Sequence, residues 1–599
     1  MALPPTAAVP KNSQSTPPGT ATAEPAIGSA PSESPGRISS LEQAQDLLTG
    51  EGLAEATELA ISLNQFDDTC ERPGELFDLL AAARHLGRVR SLTLNLPGCI
   101  PSEMLARLAS AKLPALRRLV VPSLGPRGAA TLAECPLLAQ LDELDLSNSK
   151  PGRAGVAALG RSPHLRALKI LRLHYSLDST DVGLALADTP AWTGLHELDL
   201  STGILTGEAL VGLARNPALA GLEVLDIGRS RGSGPARIAA FARAGGLPGL
   251  RVLRVDRVSL GDAELTVIVG ARQWLGLREL DLSSNKIGPA GAKALARATR
   301  MSALERLDLD GNRLGPQGGR ALSGAAHLAG LRHLDLSGCE IGEAAAVHLV
   351  ALLRAPEVLL LSGNALGDAG ARALASRGEW TGLHTLDLST DAIGPDGAAV
   401  LAGAAHLASL ETFKIRGNPL DERGWRAMVE SQPLARFVDA TWRRELALRD
   451  TTLSPVDAAR PLPADLEIDF RRGACHGSCP VYRVTIRGDV LEYRGEQHVK
   501  IAGPIRERVD PTRIRLILAS VDAFVAGEPG RRAPSWPDCR NSLYGDEGPS
   551  IRVLGGGRTF VYGRDGVCPS QADQETFRLL TDRVDALLDT DRWTGRRMW

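Results

Sequence analysis

The segment LRELDLSSNKIGPAGAKALARA, Leu277 to Ala298, combines two apolar periods. In its first half, Leu280 and Leu282 alternate with polar residues, which is the period of a strand with one buried face. In its second half, Ile287, Gly291 and Leu295 are spaced four apart, which places them on one side of a helix. The segment therefore predicts a thin layer of one strand and one helix, too thin to bury its own apolar face.

The same frame, L-x-x-L-x-L-x-x-N, recurs every 25 to 28 residues along the chain. Further copies begin at Leu304, Leu331 and Leu383, and a degenerate copy at Thr57 to Asn64 is expected to cap the first repeat. Such a period predicts a stack in which each layer covers the next. The third apolar position of the thirteen copies is occupied by Leu94, Val121, Leu146, Leu173, Leu200, Ile227, Val255, Leu282, Leu309, Leu336, Leu361, Leu388 and Ile415.

Two further positions of the frame have expected roles. Asn285 ends the strand half, and its amide can satisfy backbone groups of neighbouring turns. Cys339 and Asp391 occupy this position in two other repeats. Gly291 is expected to let the helix approach the strand closely.

These residues resemble leucine-rich repeats, and the long helical half resembles their ribonuclease-inhibitor-like subclass. The resemblance covers roughly residues 55 to 445. It implies an α/β solenoid shaped as a horseshoe, with a parallel sheet inside and helices outside. Such horseshoes mostly bind other proteins and their partners vary, so the resemblance indicates a fold and no particular partner.

Composition excludes several classes of function. Aromatic residues make up only 4% of the 599 residues, so small and aliphatic side chains must form most of the core. The formal net charge of −2 gives no global electrostatic reason to bind nucleic acid or anionic lipid. No apolar run is long enough to span a bilayer.

Residues 1–37 are rich in Pro, Ala, Ser and Thr and are expected to be disordered. They lack the basic start and apolar core of a secretory signal, which favours the cytoplasm and leaves the cell envelope and secretion open. The expected organisation continues with the capped solenoid at 38–445, a linker at 446–465 and a small α+β domain at 466–599.

Side chains that alternate with the buried leucines are expected on the concave face, where most charged positions are acidic. The central outward position is aspartate in seven repeats, and Arg172, Arg254 or Lys414 in three others. Adjacent strands are about 4.8 Å apart, so neighbouring aspartates would repel each other. The acidic positions are Asp145, Asp199, Asp226, Asp281, Asp308, Asp335 and Asp387, preceded in three repeats by Glu143, Glu197 and Glu279.

Two interpretations of this acidic face are open. In the first, it binds a basic protein segment or a cation, along a strand ladder about 60 Å long that suits a protein better than a small molecule. In the second, each aspartate only bonds to nearby backbone or water. We favour the first for the face as a whole, because a column of like charges is expected to contribute little to stability.

From Leu466 onwards the pattern changes to that of a small α+β domain with nearly balanced charges. Its alternating segments predict strands and hairpins, and a proline-initiated apolar segment predicts a helix. The predicted elements are a strand in LEIDFRR from Leu466, a hairpin around Gly488-Asp489, a further strand in HVKIAG from His498, a helix at Pro511–Gly527, a second hairpin at Ser550–Gly563 and a terminal helix from Ser570.

Within this region, Cys475, Gly477, Cys479, Pro480 and Tyr482 form the pattern C-x-G-x-C-P-x-Y, which runs into the first hairpin. The pattern resembles the signature of a bacterial domain family of unknown function. The resemblance covers about residues 465 to 596, and it implies no activity.

The cysteines of this region allow four interpretations. Cys475 and Cys479 are close enough in sequence for a local disulfide, and Cys539 and Cys568 can form a second one across the later hairpin. The same four thiols can also be a zinc site, a redox switch or buried reduced thiols. We prefer the disulfide and expect no metal and no cofactor. Cys475 and His476 are sequence neighbours on an extended segment and point to opposite faces, which argues against a catalytic pair.

The sequence thus predicts a non-enzymatic protein-binding protein. The partner is a protein, with a basic one favoured, and not nucleic acid; the oligomeric state is left open. In this hypothesis the C-terminal domain is a structural or second interaction module. The alternative is an effector-like enzyme, in which the solenoid selects a protein substrate and the cysteine-containing domain acts on it.

Overall fold

The computed structural model describes residues 37–50, 53–62, 73–95, 107–108, 110–232, 234–438, 461–472, 481–497, 499, 504–526, 550–555, 558–562, 580–581, 583–585 and 587–588. Within these residues the chain forms two sheets, each with its own hydrophobic core. The first sheet belongs to the repeats and the second to the C-terminal region.

The first sheet has fifteen parallel strands in the described ranges, and each pairs with the next strand in sequence. A parallel strand lies at each repeat of the frame, as the sequence predicts. The strands are β1 (Arg37–Ile38), β2 (Glu58–Ser62), β3 (Ser91–Asn95), β4 (Arg118–Val120), β5 (Glu143–Asp145), β6 (Ile170–Arg172), β7 (Glu197–Asp199), β8 (Val224–Asp226), β9 (Val252–Arg254), β10 (Glu279–Asp281), β11 (Arg306–Asp308), β12 (His333–Asp335), β13 (Val358–Leu360), β14 (Thr385–Asp387) and β15 (Thr412–Lys414).

Helices follow most of these strands and pack against the helix of the next repeat. They are α1 (Leu41–Thr49), α2 (Pro73–Ala82), α3 (Gly125–Ala133), α4 (Gly152–Arg161), α5 (Thr180–Ala185), α6 (Gly207–Arg215), α7 (Ala236–Arg243), α8 (Asp262–Val269), α9 (Pro289–Arg297), α10 (Gly315–Ser323), α11 (Glu343–Leu352), α12 (Gly367–Ala375), α13 (Pro395–Ala402) and α14 (Glu422–Glu430). Short 3-10 helices lie at Pro136–Gln140, Pro163–Leu165, Pro217–Leu219, Arg272–Trp274, Ala326–Leu328, Ala405–Ser409 and Ala435–Phe437.

The third apolar position of the frame is buried in all thirteen repeats. Twelve of these side chains are fully buried, and Ile415, in the last repeat, is 6% exposed. This confirms the predicted register, since a shift by one residue would turn these side chains to the opposite face. At the end of the array, Trp425 of α14 is buried, as expected for a cap, whereas Trp442 lies outside the described residues.

The ends of the sheet extend beyond the thirteen frames. The degenerate copy, expected to cap the first repeat, supplies β2, which pairs with β3 on one side and with β1 on the other. β1 pairs with β2 and begins at Arg37, one residue inside the segment expected to be disordered.

Asn285, which ends the strand half of the frame, hydrogen-bonds to backbone groups of neighbouring turns, as the sequence predicts. Nδ2 of Asn285 donates to the carbonyl oxygens of Val255 (2.8 Å) and Leu282 (2.9 Å), while its Oδ1 accepts from the backbone N–H groups of Val258 and Leu260. Each such asparagine joins its own turn to that of the preceding repeat and satisfies buried backbone groups.

The structure corrects two predictions about Gly291, its place on one helix face with Ile287 and its contact with the strand. Ile287 precedes α9, which begins at Pro289, so it shares the buried side of the layer without being part of the helix. A Cβ at Gly291 would lie 2.6 Å from Oδ1 of Asp262 and 3.2 Å from Cδ2 of Leu265, both in the helix of the preceding repeat. Gly291 therefore permits helix-to-helix contact, not helix-to-strand contact.

The second sheet is antiparallel and has six strands in the described ranges, in the order β19-β18-β17-β16-β20-β21. Its strands are β16 (Glu467–Arg472), β17 (Val481–Arg487), β18 (Val490–Gln497), β19 (Pro504–Arg508), β20 (Ser550–Gly555) and β21 (Arg558–Tyr562). Both predicted hairpins are present. The fourth strand is β19; of the predicted strand in HVKIAG only Val499 is described, and it is not in a strand.

Helix α15 (Pro511–Ala526) follows β19, as predicted, and the described residues among 580–588 are helical. Ile514, Ile517 and Val521 of α15 pack in one core with Phe470 and Tyr482 of the sheet. The helices thus cover one face of the second sheet, which confirms a small α+β domain. Among the described residues no helix is long and apolar enough to cross a membrane.

Candidate functional site on the concave sheet

The strand register shows which of the predicted acidic residues lie side by side. Along the central outward position the order is Asp145, Arg172, Asp199, Asp226, Arg254, Asp281, Asp308, Asp335, Leu360, Asp387 and Lys414. The acidic column is therefore interrupted by Arg172, Arg254 and Leu360. Its longest uninterrupted part is Asp281, Asp308 and Asp335 on β10, β11 and β12, which we call the acidic triad.

The three glutamates of the face are neutralised within the sheet. Glu143 forms ion pairs with Arg118 (2.8 Å) and Arg172, and Glu197 pairs with the same Arg172 at 2.9 Å. Glu279 pairs with Arg254 at 2.9 Å. These carboxylates already have cationic partners, so they are weaker candidates for binding a partner protein than the sequence alone indicates.

Each of the seven aspartates also has a structural role. One carboxylate oxygen accepts the backbone N–H two residues further on, where the strand turns. The distances are 2.9 Å for Asp145, 2.8 Å for Asp199, 2.9 Å for Asp226, 2.9 Å for Asp281, 3.0 Å for Asp308, 2.8 Å for Asp335 and 3.0 Å for Asp387. The expectation that the column contributes little to stability was therefore incomplete, because each aspartate fixes its own turn.

The acidic triad is the part of the column where charge is least compensated. Burial and the neighbouring Asp335 and Asp281 raise the pKa of Asp308 to about 8. Burial, with a further contribution from Asp310, raises the pKa of Asp335 to about 6. Ionising all three carboxyl groups in this partly desolvated site is thus unfavourable for the protein alone, and Asp308 is mostly protonated at neutral pH.

The basic groups beside the triad compensate it only in part. The Nη2 atom of Arg306, on the same strand as Asp308, lies 4.0 Å from its Oδ2. The same guanidinium lies 3.1 Å from Nδ1 of His333. Burial, Arg306 and His384 lower the pKa of His333 to about 4, so this imidazole is neutral at physiological pH and adds no positive charge.

No group of three or more His, Cys, Asp or Glu side chains within the described ranges is arranged to hold a metal ion. Cys475, Cys479, Cys539 and Cys568 lie outside the described residues, so their pairing stays a prediction. Two other cysteines, Cys135 and Cys339, are buried free thiols in the repeats. Burial raises the pKa of both, which makes them poor nucleophiles.

The sequence did not predict one backbone feature, a positive φ angle in the turn that follows each strand from β4 to β15. The residue two positions after the third apolar position has a positive φ angle in each repeat from Ser123 to Gly417. Glycine occupies it at Gly311, Gly338, Gly363 and Gly417, and these glycines were the available signal. In three other repeats it is a large residue: Tyr175, with φ 55° and 52% exposed, Arg229 and Arg257.

The parallel sheet with its repeating frame and the separate antiparallel sheet identify a leucine-rich-repeat solenoid followed by a small α+β domain. A family model described as Leucine Rich repeat matches residues 277–296, 302–323, 330–349 and 357–375. A second model, Domain of unknown function (DUF6438), matches residues 466–527. Both findings confirm the resemblances seen in the sequence. No curated protein matches the chain.

Two solved structures are among those that match this chain. An internalin (inlF) from Listeria monocytogenes is 18% identical, with a TM-score of 0.35 over 56% of this chain and 88% of that chain. A structure of the Rad7 and Elc1 complex in yeast gives 14% identity and a TM-score of 0.34 over 61% of this chain and 81% of that chain. Similarity at this level carries no information about the partner of the present chain.

Proposed function

We propose that the solenoid is a protein-binding scaffold and that the acidic triad receives a basic segment of its partner. The observation that carries the proposal is the position of Asp281, Asp308 and Asp335 on three adjacent strands without an intervening cation. Leucine-rich-repeat solenoids in general bind proteins, and a lysine or arginine from a partner would supply positive charge that Arg254 and Arg306 provide only in part.

Binding of a cationic side chain would be favourable because it relieves the repulsion between the carboxylates of the acidic triad. The raised pKa values of Asp308 and Asp335 show that their ionised forms are destabilised in the free protein. A cationic side chain placed between them would stabilise the ionised forms and be stabilised by them in return. The glutamates at 143, 197 and 279 offer less, because a partner would have to displace an arginine that is already bound.

The proposal is tested with the full chain and a fluorescently labelled oligolysine peptide. We expect the triple variant Asp281→Asn, Asp308→Asn, Asp335→Asn to bind the peptide about ten-fold or more weakly at low salt. The matched control is Asp145→Asn, Asp199→Asn, Asp387→Asn. It removes the same number of carboxyl groups and alters the same kind of turn contact. Each of these aspartates adjoins a cation in the neighbouring strand, whereas in the triad only Asp281 does, beside Arg254.

Equal weakening by the two triple variants, in proteins with equal melting temperatures, would contradict the proposal and leave only the structural role of the aspartates. The dependence of binding affinity on pH is a second test. Binding of a cation favours ionised Asp308, whose pKa is about 8 in the free protein, so affinity should rise between pH 6 and pH 9 while lysine stays charged. The triad variant should lack this rise.

For the C-terminal domain we propose a structural or second interaction role without catalysis. The enzymatic alternative depends on Cys475 or Cys479, which lie outside the described residues, and no observation on the described ones favours it. The boundaries at 38–445, 446–465 and 466–599 and the cytoplasmic location stay predictions. Loss of a covalent modification of captured proteins in a Cys475→Ser, Cys479→Ser variant would contradict the non-catalytic role.

A further inference from the structure

A groove runs between the helices of two successive repeats, on the helical side of the solenoid. It lies between α8 and α9 and has a volume of about 390 Å³. Its walls are short uncharged side chains, spaced three or four residues apart so that they share one side of each helix. They are Thr266, Val269 and Gly270 from α8 and the turn after it, and Ala290, Ala294 and Ala298 from α9 and the turn after it.

Two basic side chains lie along the α9 wall of this groove. Lys293 and Arg297 both line it, and both are exposed. They are four residues apart on one helix, so their Cβ atoms are about 6 Å apart. The helix of the next repeat, α10, packs against α9 and carries the exposed Arg320 at the position equivalent to Lys293. The groove therefore has one basic side.

Carboxylates do not compensate these three cations. Helices α9 and α10 contain no acidic residue. Helix α8 contains Asp262 and Glu264, and the carboxylate of each already accepts a backbone N–H group at the start of a helix. In the part of the chain that the structure describes, Lys293, Arg297 and Arg320 form no ion pair and no side-chain hydrogen bond.

The end of an earlier helix shows that the repeat frame is able to supply an anion at this place. Arg161, the last residue of α4, forms an ion pair with Asp188 of the following repeat. Arg297 is likewise the last residue of α9, but residues 311–334 of the following repeat include no acidic side chain. The positive charge beside the groove is thus particular to these layers and is not a property of every repeat.

The same layers carry opposite charge on their two sides. Strands β10 and β11, which precede α9 and α10, contribute Asp281 and Asp308 to the acidic triad on the sheet side. The formal net charge of the whole chain is only −2, so composition gives no sign of this separation. An anionic partner is therefore attracted to the helical side of these repeats and repelled from the sheet side.

The shape of the groove favours a helix as its occupant. Two helices packed side by side leave a groove that accepts the side-chain ridge of a third helix. Helix α9 has nine residues and is about 13 Å long, enough for two turns of a partner helix to lie along it. Acidic residues four apart on that partner would have the same spacing as Lys293 and Arg297.

Exposed side chains argue against a membrane as the anionic partner. Proteins that lie on a bilayer insert bulky apolar side chains between the lipids. Among the described residues the exposed large apolar side chains are Tyr175 and Val400, and neither lies on α8, α9 or α10. The small side chains of the groove suit the close approach of another helix instead.

We propose that the groove between α8 and α9 is a second docking surface, which receives an acidic amphipathic helix of another protein. The apolar side of that helix packs on Ala290 and Ala294, and its carboxylates pair with Lys293 and Arg297, with Arg320 contributing from α10. Because the groove and the acidic triad lie on opposite sides of the solenoid, both surfaces are available at the same time. This inference goes beyond the proposed function of the acidic triad and does not depend on it.

The test uses the full chain and a fluorescently labelled helical peptide with an alanine-rich side and glutamates four residues apart beside it. We expect Lys293→Glu, Arg297→Glu to weaken binding about ten-fold or more at low salt, as measured by fluorescence anisotropy. Ala290→Phe, which fills the exposed end of the groove without changing charge, should also weaken binding. The milder Lys293→Gln, Arg297→Gln preserves the comparison if the charge reversal lowers the melting temperature.

The matched control is Arg354→Glu, Arg372→Glu. It makes the same change in charge at two exposed residues of the helical side, one after α11 and one in α12, and should bind the peptide as the wild type does.

Four outcomes would overturn the proposal. Equal weakening by the control would mean that the peptide responds to overall charge. Unchanged binding by Ala290→Phe would place the peptide outside the groove. Equal wild-type binding of a scrambled peptide of the same composition would exclude recognition of an amphipathic helix. Vesicles containing phosphatidylserine that displace the peptide, and that no longer bind Lys293→Glu, Arg297→Glu, would assign the surface to a membrane.

Discussion

At the scale of single residues, Asn364 and Asp391 occupy the asparagine position of the frame in two successive repeats. They show the effect of replacing one buried hydrogen-bond donor by an oxygen. In Asn364 the Nδ2 atom donates to the carbonyl oxygens of Leu336 and Leu361, both at 2.7 Å. Asp391 occupies the equivalent position and has an oxygen where the donor is needed. Its Oδ1 accepts the N–H of Asn364, but its Oδ2 is buried and has no hydrogen-bond partner among the described residues. Burial raises the pKa of Asp391 to about 7.

Asp391→Asn should therefore stabilise the solenoid by about 1–3 kcal/mol near pH 8, because it restores a donor and removes a buried charge. The gain should shrink on acidification, since Asp391 protonates in the folded state at a pKa of about 7 and can then donate itself. Urea unfolding at pH 8 and pH 5.5 measures both effects. The mirror variant Asn364→Asp should be destabilising, and a stable Asn364→Asp protein would contradict this account.

At the scale of the elements, a carboxylate of one repeat bonds to the start of the next helix at α8 and at α12. Oδ1 of Asp262, in the first turn of α8, accepts the N–H of Gly288 at 2.7 Å, just before α9 begins. Asp368 does the same for Gly394 (2.7 Å) and Gly397 (3.0 Å) at the start of α13. A helix N-terminus leaves N–H groups unsatisfied, and here the neighbouring layer supplies the acceptor. This contact needs a glycine at the position where the two helices meet.

Gly291→Ala should destabilise the solenoid by about 1–3 kcal/mol, because its Cβ would lie 2.6 Å from Oδ1 of Asp262 and 2.7 Å from Cγ2 of Ile287. Gly324→Ala is the matched control: its Cβ would meet its nearest atom at 3.6 Å. Thermal melting of the two variants distinguishes a steric effect from a general preference for glycine. If both lost the same stability, helix-to-helix contact at Gly291 would not be the cause.

The strand register gives a second prediction at this scale. Leu282→Asp should cost several kcal/mol, since it places a charge in a fully buried site. Ser283→Asp, one residue later, introduces the same side chain at a partly exposed position and should cost about 1 kcal/mol or less. Denaturant unfolding measures both, and similar losses for the two would contradict the register.

At the scale of the whole molecule, the buried acids make the stability of the solenoid depend on pH. The pKa values of Asp226, Asp308, Asp335 and Asp391 are raised to about 7, 8, 6 and 7, with burial the largest cause in each case. In the unfolded chain these groups titrate near 3.9. Between the two sets of pKa values the folded state binds more protons, so stability falls as the pH rises.

We expect the melting temperature to decrease from pH 6.5 to pH 8.5. Below pH 6.5 the lowered pKa of His333, about 4, acts in the opposite direction, because this imidazole is neutral in the fold and charged in the unfolded chain. The combined variant Asp308→Asn, Asp335→Asn, Asp391→Asn should have a flatter profile above pH 6.5. A wild-type protein that is more stable at pH 8.5 than at pH 6.5 would contradict the assigned burial of these carboxyls.

The sequence by itself determined the layers of this protein. Side-chain period is a local property, so Leu280 and Leu282 could be assigned to the buried face, and Gly488-Asp489 to a hairpin turn, without any knowledge of distant contacts. The repeat period then added the order of the strands, because identical layers can stack only on their neighbours. For the same reason the seven aspartates could be placed on one face in advance.

Only the tertiary structure decided which charges on that face are compensated. Whether Glu143 is neutralised depends on Arg118 and Arg172, which reach it from the adjacent strands, and whether Asp308 titrates near 8 depends on how deeply its layer is buried. In the second sheet, Arg471, Arg483 and Arg494 lie opposite one another because three strands pair in one particular register. Local patterns assign a side chain to a face, whereas its neighbours across the strands and its loss of water are set when distant segments come together.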